Sequence, residues 1–204
     1  MKKLLATILA LVMALSLCTS AWATEKLIGS ETELKNAISS VNDGDVIKLS
    51  TDVTISEKVT ISKNIFLDLG THTLTSEFAP ADENYALVAE GNVTIRNGSI
   101  VTTKDKARAV NNSKGDLNLE NVIITAKGQV GVGNSATNGK VSIKNCKINS
   151  ETAYAVASFA KNANVVMDVN KSENEWSLRS VLSQRNSIWV DAFCDRNDHV
   201  FRKW

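Results

Sequence analysis

Apolar and polar residues alternate along this chain in short runs that return at a fixed interval. Val93-Thr-Ile95-Arg-Asn97 comes back as Leu117-Asn-Leu119-Glu-Asn121 and as Val141-Ser-Ile143-Lys-Asn145, and a degraded copy follows at Val165-Val-Met167-Asp-Val169. Each step is 24 residues. Inside a copy, the order apolar, polar, apolar is the period-two signature of a strand with one buried face. Ile100, Ile124 and Ile148 keep the same spacing after a short bend, so they predict a second strand. A third run precedes each pair: Tyr85-Ala-Leu-Val88, Ala107-Arg-Ala-Val110, Val130-Gly-Val132 and Ala153-Tyr-Ala-Val156. These runs lead through polar stretches to Gly91, Gly115, Gly139 or Ala163. Three short strands per repeat predict a solenoid in which equivalent side chains stack from coil to coil.

The bend falls at Asn97, Asn121 and Asn145. Asparagine tolerates left-handed backbone angles and bonds to nearby main-chain groups. The three are expected to form a structural ladder, passing amide hydrogen bonds between coils and satisfying polar groups near the core. A row of amides for gripping sugar is the functional alternative, but the repeat puts these residues where the chain must turn. The column before the bend reads Arg96, Glu120, Lys144, Asp168, alternating in sign. With strands about 4.8 Å apart, each charge would sit between opposites, which fixes register more than it adds stability.

Upstream, Asp45–Leu49, Asp52–Ile55, Val59–Ile61 and Ile65–Leu69 are further strand-like runs. Leu67-Asp-Leu69 with Leu74 fits Val93-Thr-Ile95 with Ile100 at an offset of 26, placing two extra residues in the Ser76–Asn84 loop around Pro80. Ser30-Glu-Thr-Glu33 fits a capping box, and Leu34, Ala37, Ile38 and Val41 follow at helical spacing. Gly44 is expected to stop that helix. An amphipathic helix at a solenoid end would cover apolar side chains and strand edges left bare there. The fold class expected is therefore all-β: a right-handed parallel β-helix solenoid with an N-terminal capping α-helix.

Residues 1–23 change the compartment. Lys2 and Lys3, an apolar run from Leu4 to Leu17, and Ala21-Trp-Ala23 read as a secretory signal peptide. The run is shorter than the roughly 18 apolar residues a membrane span needs, so no span is expected after cleavage. Residues 24–44 then form the capping-helix region, 45–171 about five coils of β-helix, and 172–204 an atypical C-terminal tail or cap. Trp176, Trp189, Trp204 and four of the six arginines gather in that tail, as a cap or a frameshift or truncation would produce. A formal net charge of +1 with no long run of one sign gives no reason to expect nucleic acid. Cys146 and Cys194 remain after the leader, too few for a disulfide scaffold.

The Val-x-Ile-x-Asn-x-x-Ile pattern resembles the right-handed parallel β-helix of the pectate-lyase-like superfamily, whose members also carry an asparagine ladder. More narrowly, Glu31–Val41, Asp43-Gly-Asp45-Val-Ile-Lys-Leu49 and Leu67-Asp-Leu-Gly-Thr-His72-Thr-Leu74 resemble the opening of secreted bacterial surface β-helix proteins. The likeness spans roughly residues 30–171 and implies the fold. That superfamily holds polysaccharide lyases and hydrolases as well as adhesins without catalysis. The hydrolases' Asn-Thr-Asp, Gly-His-Gly and Arg-Ile-Lys motifs do not occur in this chain. The acidic and arginine cluster of the lyases has no counterpart in the sequence. Arg108 beside Lys104, Asp105 and Lys106 reads as a solvated loop; His72 as a turn residue; Asp43 and Asp45 as turn chemistry rather than calcium ligands. No catalytic, cofactor-binding or metal-ligating set is expected. The functional expectation is a non-catalytic secreted or cell-surface module for display, adhesion or glycan contact, its partners extracellular glycans or cell-surface components. A polysaccharide lyase or glycoside hydrolase, truncated or with unrecognised site residues, is the alternative.

Overall fold

The chain folds as an all-β parallel solenoid of about six turns with one short helix near its start. The computed structural model describes residues 23–82, 84–152 and 154–160, together with the backbone of strands at 164–168 and 181–183. Three faces wall the solenoid. The first stacks β1 (Glu25–Ile28), β2 (Val46–Leu49), β5 (Ile65–Asp68), the leading halves of β8 (Val93–Thr102) and β10 (Leu117–Ala126), β12 (Lys140–Lys144) and β15 (Asn164–Asp168). The second stacks β3 (Val53–Ile55), β6 (Thr73–Ser76), the trailing halves of β8 and β10, and β13 (Lys147–Ser150). The third stacks β4 (Val59–Ile61), β7 (Asn84–Ala89), β9 (Ala107–Asn112), β11 (Val130–Asn134), β14 (Tyr154–Ser158) and β16 (Val181–Ser183).

Side chains file up the interior as the alternation demands. Ile47, Leu67, Ile95, Leu119 and Ile143 are in register and at most 3% exposed. Val53, Leu74, Ile100, Ile124 and Ile148 line the second face, and Val59, Leu87, Val110, Val132 and Val156 the third. All belong to one buried core. β-Branched and leucine side chains suit this site, because each packs on a neighbour of the same shape one strand spacing away.

The early coils depart from the expected register. Leu67 pairs with Ile95, a step of 28, whereas Leu74 pairs with Ile100, a step of 26. The two-residue difference lies at the corner Leu69–His72, where Gly70 (φ 63) and Thr71 (φ 129) make a wider bend than Asn97 alone makes one coil later. Later coils hold the 24-residue step because a shorter second-to-third connection is offset by a longer third-to-first one. Val132 accordingly pairs with Val110 at 22 residues, although Leu119 pairs with Ile143 at 24.

Strand β1 was absent from the sequence expectation. It extends the first face by one strand, and α1 (Glu31–Ser40) inserts between β1 and β2. Leu34, Ala37 and Ile38 bury against the end of the core. Ser30 caps the helix by accepting from the Glu33 N–H at 3.2 Å, but Glu33 returns its carboxylate to the N–H of Gly29 rather than of Ser30. Gly44 does not stop the helix, which ends at Ser40 with Val41 in extended backbone; Gly44 (φ 91) sits in the turn that follows. Residues 1–22, within the expected signal peptide 1–23, and most of 172–204 lie outside the described residues; within the latter, β16 pairs with β14 and carries the third face one strand further.

Candidate functional site

The asparagine corner is the site the sequence singled out. Asn97, Asn121 and Asn145 have φ of 59°, 55° and 52°. That left-handed geometry turns the chain from the first face to the second in one residue. Asn145 donates its amide to Asn121 at 2.7 Å, Asn121 to Asn97 at 3.4 Å, and Asn97 to the Asp68 carboxylate at 3.2 Å. The file runs one way and ends on a charge. It lies outside the wall: Asn121 and Asn145 are exposed and Asn97 half-buried, so these amides serve one another rather than the core.

Asp68 gathers three donors: the Gly70 N–H at 3.0 Å, Asn97, and Arg96 Nε at 2.8 Å. Burial pushes its carboxyl up, but these bonds together outweigh that and hold it below the usual carboxylate range. Arg96 in turn lies over the ring of Phe66, 5.5 Å from its centroid. In the same row, Lys48, Asp68, Arg96, Glu120 and Lys144 follow in register, so the alternation of charge reaches two coils further back than the repeat suggested.

Two further stacks escaped the sequence reading. At the corner before the first face, Asp43 accepts from the Asn64 N–H, Asn64 from that of Asn92, Asn92 from that of Asp116, and Asp116 from that of Lys140, at 2.8–3.0 Å. Each side chain thereby caps the backbone of the next coil. An Asn or Asp just ahead of each strand was the available signal, veiled by the change of residue type. Inside the wall, Asn112 and Asn134 are fully buried; Asn112 donates to Asn134 at 3.2 Å and to Gly115 O at 3.0 Å, and Asn134 donates to Gly139 O at 3.0 Å. Their separation of 22 residues hides them from a search at 24. The glycine column has its own reason. A Cβ at Gly91, Gly115 or Gly139 would strike the carbonyl of Lys63, Gly91 or Gly115, so the backbones touch along that corner.

Tyr85, Val130 and Ala157 make a second apolar cluster, with Val88 and Tyr154 packed against it. Tyr85 reaches over Gly133, where any Cβ would collide with its hydroxyl. Arg108 stands 5.5 Å from the Tyr85 ring and 5.9 Å from that of Phe159, and bonds Gln129 Oε1 at 3.3 Å. Arg108 is thus part of a packed aromatic group, not only of a charged loop.

The second face presents the plainest surface. Thr54, Thr75, Val101, Thr125 and Asn149 form one outward row, and Thr73, Ser99, Ile123 and Lys147 the next. These positions are exposed or half-exposed, and Lys147 carries their sole charge.

His72 Nδ1 stands 3.6 Å from the Asp52 carboxylate, which is 74% exposed and accepts from the Thr73 N–H at 2.8 Å. Asp43 spends both oxygens on Asn64, and Asp45 both on the N–H groups of Thr24 and Asn42. Those bonds lower both carboxyls from their ordinary range, Asn64 being the main cause for Asp43 and Asn42 for Asp45. Among the described residues no group of three or more His, Cys, Asp or Glu is placed to hold a metal ion, and no helix is long and apolar enough to cross a membrane. Cys146 is a free thiol, 5% exposed, and burial pushes it up. No family model, curated protein or solved structure matches the chain.

Proposed function

We propose that the chain is a non-catalytic, secreted or cell-surface β-solenoid module that serves display, adhesion or glycan contact. The observation that carries this reading is the second face. Its two rows, mostly threonine and serine with Val101, Ile123, Asn149 and Lys147, are held at the strand spacing, about 4.8 Å along the stack, by a backbone that the outer ladders lock. Hydroxyls beside methyls on a rigid plane suit the alternating polar and apolar surface of a sugar chain, and a pre-ordered face loses little entropy on binding. The alternating row on the first face supports a rigid, register-fixed rod.

The test is a panel of acidic and neutral glycans, with binding followed by calorimetry and products by assays for reducing and unsaturated ends. Retention without turnover, lost in a Thr75→Lys, Thr125→Lys double variant of unchanged melting temperature, is the expected result. Release of new chain ends would move the protein to the lyase or hydrolase reading. Absence of retention across the panel would remove glycan contact and leave display or protein adhesion.

A further inference from the structure

The first face carries a charge order that fits a second copy of itself. Its outward charge row runs Leu27, Lys48, Asp68, Arg96, Glu120, Lys144 across six consecutive strands. Beside it stands Phe66, 37% exposed, and Leu27 is 63% exposed. Two of the four exposed large apolar side chains among the described residues therefore sit on this face. Arg96 uses Nε on Asp68 and Lys48 stands 3.8 Å from the exposed Glu25 carboxylate, whereas among the described residues Glu120 and Lys144 form no ion pair.

We propose that this face is a self-association surface on which a second copy docks with its solenoid antiparallel. Two copies pressed face to face can be related by a two-fold axis along the stack or along the strands. The first places every charge opposite its own kind, which is unfavourable. The second reverses the row. With the axis between β5 and β8, the midpoint of the six strands, Lys48 faces Glu120 of the other copy twice, and the two internal Asp68–Arg96 pairs, Asp68 itself only 7% exposed, lie opposite each other at the centre. Phe66 then faces Thr94, so both rings come to the centre, each next to an arginine. Facing sheets pack about 10 Å apart, within reach of Lys–Glu pairs.

Six strands at about 4.8 Å and four residues at about 3.3 Å give a plane of roughly 380 Å² per copy. That is about half of the roughly 800 Å² per partner of a standard stable interface. The dimer is accordingly weak, governed by concentration and salt, and suited to copies crowded on one surface.

Sedimentation velocity on the chain without residues 1–23, from about 10 μM to 1 mM, tests this. The weight-average mass should climb toward twice the monomer value at low salt and fall back when salt screens the pairs. Glu120→Lys should weaken association at least tenfold. Adding Lys48→Glu restores the cross-copy pair and should recover association, although it worsens alternation within the chain. Phe66→Ser, which alters no charge although Arg96 lies over the ring, should also weaken association and decides the matter if the charge variants do not fold. A monomer throughout the range, indifference to both Glu120→Lys and Phe66→Ser, or a double variant that folds yet associates no better than Glu120→Lys, would overturn the proposal. None of these outcomes bears on glycan retention by the second face.

Discussion

At the residue scale, Asn121 does two separable jobs. Its φ of 55° sets the corner, and its amide both donates to Asn97 and accepts from Asn145. Asn121→Leu forfeits both. Left-handed geometry costs a non-glycine residue about 1–2 kcal/mol and each of the two bonds about 0.5–1.5 kcal/mol, so the variant should lose roughly 2–5 kcal/mol. At about 2–4 °C per kcal/mol for a domain of this size, thermal unfolding followed by circular dichroism should shift down by roughly 4–20 °C. Asn121→Gly keeps the corner and loses only the bonds, so it should fall by only about half as much. Equal losses would place the whole contribution in the amide file. That Asn97, Asn121 and Asn145 occupy bends was readable because a bend interrupts the alternation. Their position outside the wall was not, since the residue after the corner changes from coil to coil, Gly98, Val122 and Cys146, and marks no common side.

Among the elements, α1 shows what the pattern tells and what it leaves out. The heptad-like spacing of Leu34, Ala37 and Ile38 declared a helix with one buried side. It gave no hint of β1, a four-residue strand whose exposed Leu27 and buried Ile28 are too short a run to register alternation. The helix is also tied down by charge. Glu31 bonds Lys35 at 2.9 Å and accepts from the N–H and hydroxyl of Ser56 in the turn after β3. Those partners, Lys35 foremost, lower its carboxyl from 4.5 to about 2. A carboxyl depressed on folding stabilises the fold fully above its ordinary value of 4.5 and loses that contribution as pH falls through about 2. Glu31→Gln should therefore be less stable than the unaltered chain at pH 7, with the difference closing between about pH 4.5 and 2. Denaturant melts across that range check it, and a difference that stays constant with pH would refute the assignment.

The whole molecule was legible where its repeat is strict. Ile95, Leu119 and Ile143 stack as the 24-residue step requires, and the three-strand coil follows from it. Legibility faded where coils exchange loop length for loop length: the offset at Leu67 was misread by two residues because the Gly70–Thr71 corner differs in kind from the Asn97 corner. Strictness can be used. Deleting residues 117–140 removes one period and brings Val141 under Val93, so the shortened chain should fold with a β-rich circular dichroism spectrum and a lower melting temperature. Deleting 117–139 instead slips the next strand by one place and turns its apolar side outward; that chain should fail to fold cooperatively.

The amide file along the asparagine corner has a sense of direction, every hydrogen pointing toward Asp68. Its acceptor end is therefore sealed by a carboxylate, while the donor end at Asn145 still has a lone pair to offer. A solenoid of this type can be lengthened after Asn145 by any inserted period whose corner residue brings an N–H, but not before Asp68, whose carboxylate has no hydrogen to donate to an earlier asparagine. Growth of the rod, by duplication in the past or by engineering, is polar.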